Sequence, residues 1–300
     1  MRRYNPPANK KPVHLVKHLK DIPENKRIFP CIGDIKYDGV YAYCIIRPGD
    51  YRVFSRTGIE YLSLQHISNG CRFIHNELPG DWVLIFEVYN DVLPINTISG
   101  YCRDTKNQWT NLYCRVHDII PYEDFDDGVC NIPYIQRRAR VRRVCQQNNL
   151  FVESESFHIL NETKAQEFAE KFISEGHEGI IGRDPNGVWM AGKKNEAAWK
   201  IKQEESFDLE VVGMLEGTGK YLNTLGTLLV KFRLFGKSDG ELVELPISGM
   251  TDAQRDTWWK REEEIIGSIV RVDAMQINAY GMLREPRFKE VRKDKIKADF

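Results

Sequence analysis

The sequence has no net charge, no paired-cysteine motif and no long apolar run. Lysine plus arginine and aspartate plus glutamate each number 43, so any surface for nucleic acid must be local. The seven cysteines form no Cys-x-x-Cys pair, and residues 146–300 contain none. This argues against a zinc finger or a disulfide scaffold and fits a reducing compartment. Apolar runs stay short of the roughly 20 residues of a membrane span, and the basic start lacks a signal-peptide core. We therefore expect a cytoplasmic protein with no membrane partner.

The length and the apolar content suit two domains. The chain has 300 residues, of which 42% are hydrophobic. Strands and helices are mixed in the first part, and the pattern changes to short strands after residue 203. We predict an α+β fold with a first domain at 1–203 and a second at 204–300.

Lys36 is the first candidate for chemistry. It ends the apolar run 28–35 and precedes Asp38-Gly39, a turn signal, so the run predicts a buried strand with Lys36 at the floor of a pocket. Only a neutral amine is a nucleophile, so a lysine that attacks phosphorus needs a pKa lowered by burial or by nearby cations. Taken alone, Lys-x-Asp-Gly is a weak motif, because a lysine before such a turn is common.

Three later residues fit a nucleotide site but also have simpler interpretations. Arg56 follows a strand and precedes Thr-Gly, which suits a phosphate, or it is a surface arginine of a turn. Glu87 lies in the strand-like segment 82–89, where it binds a ribose hydroxyl or a metal, or pairs with a neighbouring strand. His117, in the strand-like segment 112–120, stacks on a base or is a satisfied core histidine.

Two segments near residue 200 carry further charge. Glu178 opens a short apolar strand. Lys200 and Lys202 lie on one face of another strand at period two, an arrangement that calls for an anion such as a triphosphate. The alternative is an exposed edge strand.

We predict structural roles, and no chemistry, for most of the segments between these candidates. We expect residues 1–27 to form an irregular basic arm and residues 96–100 a loop. The arginine-rich segment 133–147 predicts a solvated helix, with a DNA-facing helix as the alternative. Thr163 and Gln166 predict a capping box at the start of an amphipathic helix.

The second domain is predicted to be a small barrel. Its expected elements are strands at 209–215, 225–234, 242–245 and 268–279 and a helix at 251–266. Short strands with one helix suggest an OB-type β-barrel. Gly-Thr-Gly-Lys at 217–220 is not a P-loop, because Tyr221 stands where a P-loop has serine or threonine.

Six motifs occur in one order along the chain, and a cationic tail follows them. The motifs are Lys36-Tyr37-Asp38-Gly39, Ser55-Arg56-Thr57-Gly58, Phe86-Glu87, Val116-His117-Asp118, Glu178-Gly179-Ile180-Ile181 and Trp199-Lys200-Ile201-Lys202. The tail contains Arg284-Glu285-Pro286-Arg287-Phe288 and Arg292-Lys293-Asp294-Lys295. This ordered set resembles the ATP-dependent DNA ligases of the covalent nucleotidyltransferase superfamily, and the tail is similar to that of ligases rather than capping enzymes. Segments 96–103 and 175–179 resemble the short ligases of tailed bacteriophages.

The resemblance implies a fold and roles for individual residues. The fold is an adenylation (nucleotidyltransferase) domain with antiparallel sheets and helices, followed by an OB-type barrel. Lys36 is the catalytic nucleophile that carries AMP, and Asp34 contacts the adenine amine. Arg56 holds phosphate, Glu87 holds the ribose, and His117 lies at the base.

The resemblance also implies the cofactors. ATP is the nucleotide, with Mg²⁺ or Mn²⁺ as the metal held by Glu87 and Glu178. The remaining residues assigned to the nucleotide are Ile180, Lys200, Lys202, Arg292 and Lys295, the last two orienting pyrophosphate.

The activity implied is the sealing of nicks with 5′-phosphate and 3′-hydroxyl ends in double-stranded DNA, by a monomer that works in the host-cell cytoplasm if the source is viral. An RNA ligase or capping-type enzyme would use the same lysine chemistry, and a nucleic-acid-binding protein with an inactive nucleotide fold is a third possibility. The chain departs from the family at three points: Tyr41 stands where many ligases have an arginine, His117 stands where an aromatic residue is usual, and Phe86 precedes Glu87 where Asp-Gly is usual.

Overall fold

The computed structural model describes residues 4, 11–146, 149–235, 240–275, 277 and 280–300, apart from the side chain of Asn76. The chain divides into two compact units, Met1–Lys202 and Gln203–Phe300. Within the described ranges, no helix combines the length and the apolar character needed to cross a membrane.

The first unit mixes strands and helices. Its strands are β1 (Leu15–His18), β2 (Cys31–Lys36), β3 (Val40–Arg47), β4 (Asp50–Ser55), β5 (Trp82–Tyr89), β6 (Tyr113–Pro121), β7 (Val129–Cys130), β8 (Phe151–Glu153), β9 (Ser156–Ile159), β10 (Gly179–Arg183), β11 (Trp189–Met190) and β12 (Lys194–Lys202). Its α-helices are α1 (Gln65–Glu77), α2 (Ile95–Arg103), α3 (Tyr122–Asp127), α4 (Tyr134–Cys145) and α5 (Glu162–Ser174).

Two five-stranded sheets position the side chains of interest. The first has the order β1-β12-β10-β2-β9, and the second has the order β4-β3-β5-β6-β8. Neighbours are antiparallel except at two edges, where β1 pairs with β12 and β8 pairs with β6 in parallel. The prediction of antiparallel sheets therefore holds for all but these two edge pairings.

Helices cover both sheets with apolar residues. On the first sheet, α5 contributes Ala165, Ala169 and Phe172 to a core shared with Ile35 of β2. On the second sheet, a larger core includes residues of α1, α2 and α4. These cores cover one face of each sheet, and a further core that includes Tyr43, Ile85 and Phe125 packs on part of the opposite face of the second sheet.

Several local predictions for the first unit were wrong. Residues 15–18 of the expected irregular arm form β1, the edge strand of the first sheet, and part of that arm, 1–3 and 5–10, lies outside the described residues. The expected loop at 96–100 belongs to α2, whose side chains Ile98 and Cys102 are buried. Helix α5 is capped by Asn161, whose side chain accepts from the amide of Lys164, rather than by the predicted capping box.

The described residues of the second unit form a five-stranded antiparallel sheet and one α-helix. Its elements are β13 (Glu205–Glu216), β14 (Leu225–Arg233), β15 (Leu242–Ile247), α6 (Asp252–Lys260), β16 (Ile269–Ala274) and β17 (Arg287–Val291), in the sheet order β15-β14-β13-β16-β17. The amide of Phe288 donates to the carbonyl of Ser248 at 2.8 Å, which links the two edge strands. A core that includes Leu228, Val230 and Val272 fills the interior.

Two element boundaries differ from the predictions in this unit. Helix α6 ends at Lys260 and a short 3-10 turn, Glu262–Glu264, follows, because Arg261 leaves the helical conformation at φ −138°. The predicted last strand 268–279 ends at Ala274, and positions 276, 278 and 279 lie outside the described residues. The cationic tail supplies an additional strand, β17.

Candidate active site

A cavity of about 330 Å³ lies between the two sheets of the first unit. Residues from β1, β2, β3, β5, β6, β10 and β12 line it, together with residues 13 and 14, which precede β1. Six of the predicted site residues are among the lining side chains: Asp34, Lys36, Arg56, Glu87, His117 and Lys200. The fold thus brings together residues that are up to 166 positions apart in sequence, as from Asp34 to Lys200.

Register explains which side chains face the cavity. In the first sheet, Ile181 of β10 pairs with Asp34 of β2 on one side and with Lys200 of β12 on the other. Directly opposed residues of antiparallel strands share a face, and neighbours along a strand alternate. Asp34, Ile181 and Lys200 therefore form one row that faces the cavity.

Ile180, which is also predicted to bind the nucleotide, does not line the cavity, for the same reason. Ile180 pairs with Ile35 and Ile201, is fully buried, and belongs to the core under α5. Ile181, one residue later, lines the cavity. Sequence alone did not separate two adjacent isoleucines, because the alternation depends on where the strand starts.

Lys36 is the last residue of β2, and its Nζ donates a close hydrogen bond to Oε2 of Glu178. The Lys36 side chain is 21% exposed and that of Glu178 is 5% exposed. Burial lowers the pKa of Lys36 to about 8; Glu87 and Asp38 oppose this shift, and Lys200 and Lys202 add to it. A lowered pKa increases the fraction of neutral amine, which is the nucleophilic form.

Glycines allow the strands to approach at this point. Gly179 lies between Lys36 and Lys202 in the first sheet and has a φ of +137°, and a Cβ there would be 2.1 Å from the carbonyl oxygen of Ile201. A Cβ on Gly39 would be 2.7 Å from the Cβ of Glu87. These two close approaches are the physical reason for glycine after Glu178 and after Asp38.

Glu87 faces the cavity from the second sheet. Burial raises the pKa of Glu87 to about 7, while Lys36 and Arg56 act in the opposite direction. Across the sheet, Glu87 lies between Tyr41 and Arg115 in register. Tyr41, which stands where ligases have an arginine, donates through its hydroxyl to the carbonyl of Pro12 at 3.1 Å. Tyr41 thereby holds the segment that precedes β1 in place by a hydrogen bond, and it adds no positive charge to the cavity.

His117 and Asp34 line the same part of the cavity, because the Tyr134 hydroxyl lies 2.9 Å from Asp34 and 3.4 Å from the carbonyl of His117. Burial lowers the pKa of His117 to about 3, so the imidazole is neutral, and its ring centroid lies 6.2 Å from that of Tyr41. The Asp34 carboxylate accepts from Arg138 at 2.7 Å and from the hydroxyl of Tyr134 at 2.9 Å. This part of the cavity therefore presents a flat neutral ring and a fixed carboxylate.

Helix α4 is not the solvated helix that its arginines predicted. Its buried side chains are Tyr134, Arg137, Arg138, Val141 and Val144. Arg137 forms a two-pronged ion pair with Asp118, at 2.8 and 3.1 Å, and the two side chains are 3% and 2% exposed.

Sequence reasoning missed Arg138, Tyr134 and Arg183 as residues near the site. The missed signal was the spacing i, i+3, i+4, i+7 from Tyr134, which puts two arginines on the stripe that faces the protein. Arg183 is the last residue of β10 and is 8% exposed, and no local pattern in the sequence predicts its place near the site.

The remaining predicted residues lie outside the cavity lining. Lys202 ends β12 and is the register partner of Gly179, which is also opposite Lys36. Arg292 and Lys295 belong to the second unit, where both pair with Asp208; Nη1 of Arg292 lies 2.9 Å from each carboxylate oxygen. These two cations are held within their own unit by a shared carboxylate.

The carboxylates near Lys36 suit a magnesium ion that is held mainly by substrate. Across the part of the chain that the structure describes, no three His, Cys, Asp or Glu side chains form a ready metal cluster. Mg²⁺ typically keeps several waters and binds one or two carboxylates plus substrate phosphates. Glu87 and Glu178, whose carboxylates both interact with Lys36, supply a donor set of that kind.

A half-buried lysine in a nucleotide-sized cavity of an α+β unit, with an OB-like unit after it in sequence, is the arrangement of covalent nucleotidyltransferases. Family models agree. The model for the ATP dependent DNA ligase domain matches residues 13–202, and the model for the DNA ligase OB-like domain matches residues 216–292. The chain belongs to the ATP-dependent DNA ligase family. This confirms the resemblance drawn from the motifs and the predicted fold class.

Individual relatives give the same result at low identity. The DNA ligase of Escherichia phage T7 is 26% identical over 229 residues, covering 62% of this chain and 63% of that protein. A solved structure named Pmar-Lig_PreS3 has a TM-score of 0.76 at 25% identity and covers 93% of this chain and 67% of its own. The structure of the phage T7 ligase in complex with ATP has a TM-score of 0.59 at 21% identity, covering 96% and 100%.

The chain spans less than two thirds of the curated relatives that it matches first. It covers 21% of a DNA ligase of Methanococcus aeolicus, 63% of the phage T7 ligase and 45% of a DNA ligase of Methanosphaera stadtmanae.

Proposed function

We propose that this protein seals nicks in double-stranded DNA with ATP, through an AMP group carried on Lys36. The observation that carries the proposal is the Lys36 amine, which lies in the cavity against Glu178 with a lowered pKa. A structural lysine would have no need of a cavity large enough for a nucleotide.

In the first step, the neutral Nζ of Lys36 attacks the α-phosphorus of ATP. A nitrogen–phosphorus bond forms, the bond from the α-phosphorus to the bridging oxygen breaks, and pyrophosphate leaves with that electron pair. Oε2 of Glu178 already accepts from Nζ and is therefore placed to hold the proton that the amine loses.

The other cavity residues position the nucleotide. Arg56 and Lys200 supply positive charge for phosphate oxygens, and Glu87 supplies an acceptor for a ribose hydroxyl. His117 presents a neutral ring to the base. Phosphoryl transfer depends mostly on such positioning and charge stabilisation, because the protein contributes little covalent chemistry beyond the nucleophile.

Glu87 and Glu178 would hold a divalent cation, Mg²⁺ or Mn²⁺, with the phosphates of the substrate. When bound, the ion neutralises charge on the phosphate oxygens. Glu87 must be ionised for this role, and its pKa of about 7 makes the role weaker in acid.

The second and third steps concern DNA. AMP passes from Lys36 to the 5′-phosphate at a nick, and the 3′-hydroxyl then attacks that phosphate and releases AMP. We propose that a monomer performs both steps on nicked duplex DNA. Most of the DNA-binding free energy would come from contacts with the phosphates of the DNA backbone, so DNA binding should weaken steeply as the salt concentration rises. We further propose that Lys202 contacts the α-phosphate and that Arg292 and Lys295 orient pyrophosphate, as the family resemblance implies.

The test is adduct formation with α-³²P-ATP and Mg²⁺, followed by denaturing electrophoresis. Label on the wild-type chain that is acid-labile, and that then appears on a nicked DNA duplex and is released on sealing, supports the proposal. Pretreatment with pyrophosphate removes AMP carried over from expression. A pretreated protein that still takes no label, or one that labels only with GTP, contradicts it. Transfer to nicked RNA but not to nicked DNA would favour an RNA ligase.

A further inference from the structure

The Asp34 carboxylate is held by three donors from two elements. Oδ1 accepts from Nη1 of Arg138 at 2.7 Å, and Oδ2 accepts from the hydroxyl of Tyr134 at 2.9 Å and from Nε of Arg183 at 3.2 Å. Asp34 is 2% exposed, yet it lines the cavity. In the described ranges, Oδ1 has no second donor.

The donors are themselves fixed. Nη1 of Arg138 also donates to the Tyr134 hydroxyl at 3.0 Å, and its Nη2 donates to the carbonyl of Ser154 at 2.8 Å. The same Nη2 lies 2.9 Å from Glu153, and the Arg138 side chain is 4% exposed. Tyr134 and Arg138 are four residues apart on α4 and so share a face. Rotation of the Asp34 carboxylate would break bonds to all three donors, so its orientation is set.

A count of acceptor positions shows what this carboxylate can still bind. An ionised carboxylate offers about four lone-pair sites and no donor. Tyr134 and Arg183 occupy two lone-pair sites on Oδ2, and Arg138 occupies one on Oδ1. About one acceptor site therefore remains, on Oδ1. A ligand group at that position must therefore be a hydrogen-bond donor.

The position of Asp34 relative to Lys36 identifies the part of the nucleotide concerned. Both residues lie on β2, two positions apart, so they share a face about 6.6 Å from each other along the strand. With the α-phosphate at Lys36, Asp34 and His117 lie at the base end of the same cavity. Adenine carries an amine at position 6 and guanine a carbonyl. An oxygen that can only accept a hydrogen bond there binds the adenine amine. With guanine, the same oxygen would face the guanine carbonyl, and neither group could donate.

We propose that Arg138 and Tyr134 of α4 are positioning residues that set the nucleotide specificity of this site. They fix Asp34 so that its one open acceptor position receives the exocyclic amine of ATP. The inference rests on the proposed function, since it presumes that the cavity binds the nucleotide that Lys36 attacks. It gives a reason for two buried polar residues that no motif of the chain includes.

The experiment compares kcat and KM for labelling of the wild type and three variants with α-³²P-ATP and α-³²P-GTP. Arg138→Lys keeps the charge but loses the fork that reaches both Asp34 and Ser154. Tyr134→Phe removes one donor and little volume. Arg142→Lys is the matched control, because Arg142 is one turn further along α4, is 62% exposed and contacts Glu153 only at 3.4 Å.

We expect Arg138→Lys to raise the KM for ATP about tenfold and to lower the ATP-over-GTP preference by about tenfold or more, with kcat at saturating ATP changed less. Tyr134→Phe should change both in the same direction by a smaller factor, and Arg142→Lys should match the wild type. A purely structural role would instead lower the yield of active protein and leave the preference between the two nucleotides as it was.

The outcomes separate the two proposals. A pretreated wild type that takes no label contradicts the proposed function itself. A labelled wild type, together with a folded Arg138→Lys variant that keeps the wild-type KM and preference, overturns the inference alone. If melting curves show that Arg138→Lys does not fold, Tyr134→Phe decides: an unchanged preference in that variant overturns the inference.

Discussion

Charged side chains are placed differently in the two units of this protein. In the first unit, Lys36 and Asp34 line a cavity and Glu178 accepts a hydrogen bond from Lys36, and the two carboxylates Glu178 and Asp34 are 5% and 2% exposed. In the second unit, Arg292 and Lys295 share Asp208 on a more exposed surface, where their side chains are 23% and 39% exposed. Both sets are ion-paired, and the side chains of Lys36 and Arg292 are similarly exposed, at 21% and 23%. Burial nevertheless has the largest effect at Lys36, whose pKa it lowers, whereas hydrogen bonds to carboxylates raise the pKa of Arg292.

The difference in local environment sets what each group can do. Removal from water changes the proton affinity of a charged group, so the first unit can hold a neutral lysine near pH 8 and a protonated glutamate near pH 7. Groups that remain in water keep their charge and attract anions over a range that salt screens. The first unit is therefore suited to covalent chemistry, and the second to contacts with phosphate. The predictions below test this contrast.

The largest expected effect is from Lys36→Ala, which should abolish labelling by α-³²P-ATP because it removes the nucleophile. The variant should remain folded, since Lys36 ends its strand and contributes little to the core. It should still seal a nick supplied with AMP already on the 5′-phosphate. Normal labelling of this variant would remove Lys36 from the mechanism.

The second effect concerns stability. Arg137→Met should destabilise the first unit by about 3–5 kcal/mol, because the Asp118 charge would stay buried without its partner. Urea unfolding followed by a probe in the first unit measures the loss. Arg143→Met, an exposed position on the same helix, serves as the control and should leave the midpoint unchanged. Equal effects of the two variants would mean that the Arg137 pair is not a buried one in solution.

The third effect concerns the second unit. Arg292→Ala or Lys295→Ala should slow adduct formation by about tenfold to a hundredfold, in line with loss of a hydrogen bond to a charged group. Sealing of a pre-adenylated nick should slow less, because no pyrophosphate takes part. Arg271→Ala is the control, since Arg271 is another partly exposed arginine of the second unit that pairs with Asp273. A stronger effect on sealing than on adduct formation would contradict the proposed contact with pyrophosphate.

The fourth effect is on pH dependence. The pKa of Lys36 is lowered to about 8, so the neutral amine increases up to tenfold per pH unit as pH rises toward 8 and then levels off. The pKa of Glu87 is raised to about 7, so its carboxylate is also lost as pH falls below 7. Single-turnover adduct formation at saturating ATP and Mg²⁺ should therefore rise from pH 6 to 8. Sealing of a pre-adenylated nick does not need the Lys36 amine and should rise less. A flat profile for adduct formation would show that neither group limits the step.

The smallest effect is expected from Lys220→Met. Lys220 pairs with Asp252 on the surface of the second unit, with side chains 70% and 63% exposed, and solvent screens such pairs. The melting temperature should stay within measurement error. A clear loss of stability would show that exposed ion pairs in this unit matter more than the contrast with the first unit implies.

Some strands could be predicted from the sequence because their residue patterns are local. The prediction of strand 82–89 matches β5, and the predicted strand 225–234 extends one residue beyond β14. Strands with continuous apolar or β-branched residues and clear turns at their ends give such signals. Helix α2 was missed because Asn-Thr-Ile-Ser-Gly has weak helix propensity and its burial against the core compensates.

The candidate site likewise contains residues that the sequence predicted and residues that only the structure identifies. Motif order along the chain was enough to select six residues that line one cavity. It was not enough to place Ile180 or to find Arg138, whose partners Asp34 and Ser154 are 104 and 16 positions away. Long-range pairs of this kind leave no periodic pattern in the sequence.

The sequence by itself determined the family, the order of the motifs, the α+β fold with an OB-like second part, and the residue types that the chemistry needs. These depend on local patterns and on residue identity. The tertiary structure decided which of two isoleucines faces the cavity, that the arginines of α4 are buried partners of Asp34 and Asp118, and how far the pKa of Lys36 falls. Those properties depend on strand register, burial and distances between residues remote in sequence, and these exist only once the sheets have formed.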